Sequence, residues 1–306
     1  MIMFTNEIKW KKLGLFIKPQ VNLEWSKTHA MIPTPQEIGN GVFRIFFSGR
    51  NSLNQSHIGW AELDLNDLGR AIKYSDKPVL SPGDLGCFDD NGVTPSCICN
   101  LSNDQLGLYY IGWNPGSTVR MHLFGGLAIR NKVGEFVRWS RAPIIERSIT
   151  DPFLNTAPWV LKTNDEYRMY YVSGTEWRHK DLPRYNIKLA KSKDGKIWSR
   201  DGHVCIDFKD TNENALARPY VIYENNIWKM WFSYKGENYK QGYAESLDGI
   251  DWVRNDSFSV IPTGLKGEFD SEMIAYAAVV NYKGRHFMFY NGNNYGYAGI
   301  GIAIEG

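Results

Sequence analysis

Residues 218–236, RPYVIYENNIWKMWFSYKG, alternate apolar and polar side chains, turn at Glu224-Asn225-Asn226, and alternate again. Period-two alternation on both sides of a short polar turn predicts an antiparallel hairpin. The pattern recurs as IPTPQEIGNGVFRIFFSGR from Ile32, TPSCICNLSNDQLGLYYIGW from Thr94, APWVLKTNDEYRMYYVSG from Ala157 and YAAVVNYKGRHFMFYNGN from Tyr276. The five starts lie 62, 63, 61 and 58 residues apart. Pro33, Pro95, Pro158 and Pro219 anchor four of the copies, and Ala277 takes that place in the fifth.

Each copy continues with a third strand of small residues: IGWAELDL, GGLAIRN, IKLAKSKDG, GYAESLDG and GIGIAIEG. Most then reach a fourth apolar stretch, KPVLSP, APIIER, HVCIDF or FSVIPT. Four short strands per unit of this length predict an all-β, five-bladed β-propeller with four-stranded antiparallel blades. The last copy stops after its third strand, while IKWKKLGLFIKP near the beginning reads as a fourth strand. Residues 8–19 are therefore expected to complete the fifth blade, close the ring and hide an edge, giving one domain over residues 1–306. Trp10, Trp139, Trp198 and Trp252 recur at one place in the repeat and are expected to be structural. The same holds for the turns SKDGKIW and SLDGIDW.

Composition narrows the function. A 43% hydrophobic share and 22% charged residues suit a soluble protein with a core. A net charge of +2, from 35 basic and 33 acidic residues, shows no broad field for nucleic acid. The start MIMFTNEIKWKKLG lacks the apolar core of a signal peptide, and no segment reaches membrane-spanning length. Cys87, Cys97, Cys99 and Cys205 form no zinc pattern, and Cys97 and Cys99 share one strand face. Buried thiols and a cytoplasmic location are the expectation. No phosphate-binding glycine loop, dinucleotide fingerprint, H-E-x-x-H or nucleophile elbow occurs.

In a propeller the segments leading into the innermost strands line the mouth of an axial channel. Those segments carry Asp89 and Asp90 (GCFDDNGV), Asp151 (SITDPFLNT), Glu213 (NENALAR), and Asp270 and Glu272 (GEFDSEMIAY). Acids in four blades aimed at one axis would form a carboxylate ring whose crowding raises some pKa values. One protonated and one ionised carboxyl flanking a bond is what glycoside cleavage needs. His29, Arg50, Arg218 and Lys235, with Asn293 in the loop corresponding to Lys235, would add a partly cationic rim for phosphate, a nucleotide-linked sugar or an acidic sugar. No cofactor is expected, although axial carboxylates could hold a calcium ion.

The five units, together with FDDNGV, TDPF, ENALARP and YNGNNYGYAGIGIA, resemble the five-bladed propeller glycosidases, which include arabinanases, xylosidases, invertases, levansucrases and mannoside phosphorylases. The resemblance implies an Asp base, an orienting Asp and a Glu acid on successive blades, which by order would be Asp89, Asp151 and Glu213. The chain departs from that pattern in its first blade, where WSKTHAMIP carries His29 and no acid nearer than Glu24. Three readings follow. The first is an inverting hydrolase of a small glycan, with Glu213 as acid, Asp89 or Asp270 activating water and Asp151 tuning. The second is a phosphorylase or glycosyl transferase that holds phosphate with His29, Arg50 and Arg218. The third is a non-catalytic carbohydrate-binding propeller.

Overall fold

The computed structural model describes residues 7–69 and 72–306. Strand β1 (Ile8–Ile17) precedes the first blade, which holds β2 (Thr28–Gly39), β3 (Val42–Arg50), β4 (Ser56–Asp64) and the two-residue β5 (Lys73–Tyr74). Blade two holds β6 (Gly92–Asn100), β7 (Leu106–Pro115), β8 (Met121–Arg130) and β9 (Phe136–Arg138). Blade three holds β10 (Asn155–Lys162), β11 (Tyr167–His179), β12 (Leu182–Ser192) and β13 (Val204–Ile206). Blade four holds β14 (Ala215–Glu224), β15 (Ile227–Lys235), β16 (Tyr239–Ser246) and β17 (Val253–Arg254), and β18 (Ser259–Val260) follows. Blade five holds β19 (Ala275–Tyr282), β20 (Arg285–Asn291) and β21 (Ile300–Glu305).

Within every blade the strands pair antiparallel in chain order. The hairpin that opens the repeat is β14–β15, with Glu224 opposite Ile227 across the turn. The fourth strands are short, two or three residues in blades one to four. On the outside of blade five β1 runs antiparallel to β21, from Trp10 opposite Glu305 to Ile17 opposite Ile300, and β18 pairs parallel with β1. Neighbouring blades touch through single parallel bridges such as Ser56 to Gly92 and Tyr185 to Ala215.

Aromatic and aliphatic side chains fill the layers between blades, where large buried area supplies most of the stabilisation. The indole N–H groups of Trp10 and Trp231 both donate to the Ser259 hydroxyl, at 2.9 and 3.0 Å, which ties β1 to blade four. Trp10 is buried, and Trp198 and Trp252 pack on the core against Tyr109 and Tyr170. Trp139 is 42% exposed and departs from the buried role expected of it. The repeated S-x-D-G turns are hydrogen-bonded alike: the Ser192 and Ser246 hydroxyls accept from the Gly195 and Gly249 amides. Tyr109 and Tyr170 then donate to the carbonyls of Gly195 and Gly249 across the blade junction. No helix among the described residues is long and apolar enough to cross a membrane.

Candidate functional site at the axis

The five inner strands share a defect that decides which side chains face the axis. In each, the pairing register breaks at the anchor position: between Met31 and Thr34, Pro95 and Cys97, Thr156 and Trp159, Ala217 and Tyr220, and Ala275 and Ala278. A proline there lacks the N–H that the ladder needs, which suits the break in four blades; in the fifth, Ala277 stands in that place and the break persists. In four blades the residue before the anchor takes up the bend with a positive φ: Ile32 at 55°, Ala157 at 49°, Arg218 at 52° and Tyr276 at 60°. A β-branched Ile in that region is a true outlier, and such strain gathers at binding sites. Neighbours hold the strained backbone in place. The Ile32 amide donates to Asn291 Oδ1 at 2.8 Å and the Tyr276 amide to Ser233 Oγ at 2.8 Å.

Ile32, Ala157, Arg218 and Tyr276 at these bulges, together with Thr94 just before the blade-two anchor, line a cavity of about 480 Å3 on the axis. Tyrosines build one side of it. Tyr185 and Tyr239 share a hydrogen bond of 2.6 Å, and the Tyr239 ring packs against Tyr276 and Tyr295. Burial pushes the Tyr185 hydroxyl up to about 12, so it stays protonated at neutral pH. Trp113 adds a further aromatic face.

The charged wall is unequal. Arg50, Arg120, Arg218 and Lys235 line the cavity, against a single carboxylate, the exposed Asp181 at the β11–β12 turn. Arg218 is 1% exposed. Its Nη2 donates to the Pro33 carbonyl at 2.9 Å and to Thr34 Oγ1 at 3.1 Å, while Nε and Nη1 have no acceptor. The guanidinium lies near the rings of Trp159 and Tyr220. Burial lowers its pKa to about 10, which leaves it charged at neutral pH.

The four expected catalytic acids stand elsewhere. Asp89 accepts from Arg138 Nε at 2.8 Å and from the Tyr110 hydroxyl at 3.0 Å. Asp151 accepts from Ser173, Lys188 and Arg200 at 2.7, 3.0 and 3.1 Å. Burial alone would raise its carboxyl, but the Ser173 hydrogen bond and the two cations hold it below the usual range. Glu213 forms a fork with Arg254, at 2.9 and 2.6 Å. Asp270 accepts from Lys12 and from the Tyr290 hydroxyl, each at 2.9 Å. In every case the base comes from an outer part of the same blade. None of the four acids is among the residues lining the cavity.

The blade-one counterpart is Ser26. Trp25 packs on Phe47 as Phe88 packs on Tyr110 and Phe269 on Tyr290, which places Ser26 where Asp89 and Asp270 stand. Asp90 accepts from the Gly86 amide and Asn114, and Asn293 takes the Glu272 and Met273 amides, so these serve loop geometry away from the cavity. His29 packs edge-on to Tyr297. Burial, assisted by the Arg50 charge, drops its pKa to about 4, so it is neutral at pH 7. Among the described residues no group of three or more His, Cys, Asp or Glu side chains could hold a metal ion. Arg50, Arg218 and Lys235 all line the cavity, and Arg120, Asp181 and the tyrosines, which the sequence reading did not single out, line it with them. In the sequence, the residue immediately before each anchor marks the position that lines the cavity.

No family model matches the chain. Over 96% of its length it is 37% identical to "Uncharacterized protein Rv1502" of Mycobacterium tuberculosis (strain ATCC 25618 / H37Rv), covering 98% of that protein. Among solved structures it is similar to a "Glycoside hydrolase", with a TM-score of 0.74 and 19% identity over 98% of this chain and 92% of that one. A member of "the GH130 family of mannoside phosphorylases" that "contains glycoside hydrolases that target beta-1,2 mannosidic linkages in Candida mannan" gives 0.73 and 14% identity over 99% and 95%. A "thermostable family-43 glycoside hydrolase" gives 0.68 and 14% identity over 91% and 88%. The chain therefore belongs to one family with the uncharacterized mycobacterial protein Rv1502, built on the five-bladed propeller fold of the glycosidases and mannoside phosphorylases.

Proposed function

We propose that the chain recognises a small glycan or sugar conjugate in the axial cavity, and that the blade acids take no part in the chemistry. The observation that carries this is the pairing of Asp89, Asp151, Glu213 and Asp270 with bases of their own blades, away from the cavity lining. Glycoside hydrolysis by two carboxylates needs both to face the scissile bond. The bowl of tyrosines and Trp113 supports a sugar, whose apolar faces stack on aromatic rings while its hydroxyls meet phenols. The same reading treats the chain as one propeller domain, closed by the pairing of β1 with β21.

One observation favours a second reading, a phosphorylase or transferase. Asp181 is a single carboxylate beside several cations. Direct displacement by phosphate requires an acid for the leaving group and no base for water, because the nucleophile is already an anion. The test is turnover on a panel of oligosaccharides and aryl glycosides, with and without inorganic phosphate. Binding without hydrolysis is expected; hydrolysis that Glu213→Gln abolishes, in a variant that still folds, overturns the reading. Phosphate-dependent release of a sugar 1-phosphate, lost in Asp181→Asn, establishes the second reading in its place.

A further inference from the structure

Cations in this protein fall into two populations. Lys12, Arg138, Lys188, Arg200 and Arg254 each meet a carboxylate within 3.1 Å. The cations of the cavity do not. Arg50 bonds to Asn54 Oδ1 at 3.0 Å and lies 3.6 Å from Met31 Sδ. Arg120 lies 3.7 Å from Met121 Sδ, and Lys235 is 3.3 Å from the Tyr295 hydroxyl. Arg218 has only the Pro33 carbonyl and the Thr34 hydroxyl for acceptors. Among the described residues none of the four is in an ion pair.

The asymmetry is costly for the free protein. A buried guanidinium without a counter-charge, with two nitrogens unsatisfied, is destabilising unless something supplies the missing charge. The apolar floor of Ile32, Ala157 and Ala217 offers nothing to do so. A sphere of the cavity's volume is roughly 10 Å across, about one Debye length at 0.1 M salt, so a ligand inside feels all four cations at once. The cations come from blade one (Arg50), blade two (Arg120) and blade four (Arg218, Lys235). They stand on three of the five blades, so they do not cradle one point. That layout matches a ligand that fills the cavity and carries its own charge better than a small free anion.

We propose that the axial cavity takes an acidic sugar, one bearing a carboxylate or a phosphate or sulfate ester, with its oxyanion among the accessible Arg50, Arg120 and Lys235 and its charge also balancing the buried Arg218 behind the lining. This rests on the carbohydrate reading above and specifies its substrate class. The anion supplies the counter-charge that the fold omits, and the tyrosine side holds the ring. Neutral sugars leave Arg218 unpaired and forfeit that gain.

Calorimetry on the full chain tests the idea with matched probes: uronic acids and uronate disaccharides, hexose phosphates, sulfated hexoses, their neutral parents, and inorganic phosphate alone. An acidic probe is expected to bind at least tenfold more tightly than its neutral parent, and several-fold more weakly at 250 mM than at 25 mM salt. Whether the uronates or the esters bind identifies the source of the oxyanion. Arg218→Met should remove the acidic advantage and leave the melting temperature at or above the starting value. Should that variant not fold, Arg50→Gln with Lys235→Gln reads the same loss from the cavity wall. Equal binding of acidic and neutral sugars overturns the inference and leaves the carbohydrate reading standing. Inorganic phosphate binding as tightly as any sugar phosphate, or no probe binding at all, overturns both.

Discussion

Arg218 is the single residue that most shapes what the axis can hold. Its position before Pro219 was visible in the sequence, and its cationic character with it. What the sequence did not reveal is its setting, because the Cβ direction at that position depends on a one-residue bulge that reverses the side of the strand. The acids were legible as a recurring feature, and their pairing with bases was not. Carboxylates placed several residues before an inner strand look axial on a linear map, yet each of the four meets a base of its own blade. His29 yields a prediction in pH. Its folded pKa, about 4, lies below the ordinary value of 6.5, so the unfolded chain takes up the proton first as pH falls. Stability is therefore expected to decline from pH 6.5 towards pH 4. In His29→Asn this part of the decline should vanish from a series of melting curves taken across that range.

At the scale of the strand, the paired acids read as fasteners. Each ties the loop before an inner strand to an outer part of its own blade, through a base and, in blades two, three and five, a tyrosine of the second strand. Removing one partner leaves a buried charge alone, which costs about 3–5 kcal/mol. Asp270→Asn is expected to destabilise the fold by roughly 3 kcal/mol, because it strands Lys12 and loosens β1. Replacing both, Lys12→Met with Asp270→Leu, should recover most of that loss in denaturant titrations, and recovery in the double variant would show that the pair itself carries the effect. Ser26 in blade one has no ionic partner to lose, so Ser26→Ala should cost only about 1 kcal/mol. These ties could be guessed from the recurring GCFD and GEFD stretches, but two of the basic partners, Arg138 and Arg254, lie in outer strands of three and two residues, too short to show a period.

For the molecule as a whole, the repeat was the legible part, since spacing survives where individual motifs do not. Five hairpins at nearly even intervals required only local alternation to be seen. The outer strand of blade five is β1, ten residues long and drawn from the opposite end of the chain. Deleting residues 1–17 should expose β21 along its whole length and lower the melting temperature by several degrees. The truncated chain should also associate through the new edge, which light scattering would register. A truncated chain that stays monomeric with an unchanged melting temperature would show that β1 is dispensable.

The position before the anchor that each inner strand presents to the axis has a further consequence. Backbone geometry there is set by the anchor and by hydrogen bonds from neighbouring blades, not by the side chain that happens to occupy it. Isoleucine, threonine, alanine, arginine and tyrosine all stand at the same place in their blades. The cavity floor thus behaves as a five-letter address written on a fixed page. One letter per blade can be changed to redirect the molecule to a different ligand, with Arg218 the letter that also ties blade four to blade one through Pro33 and Thr34.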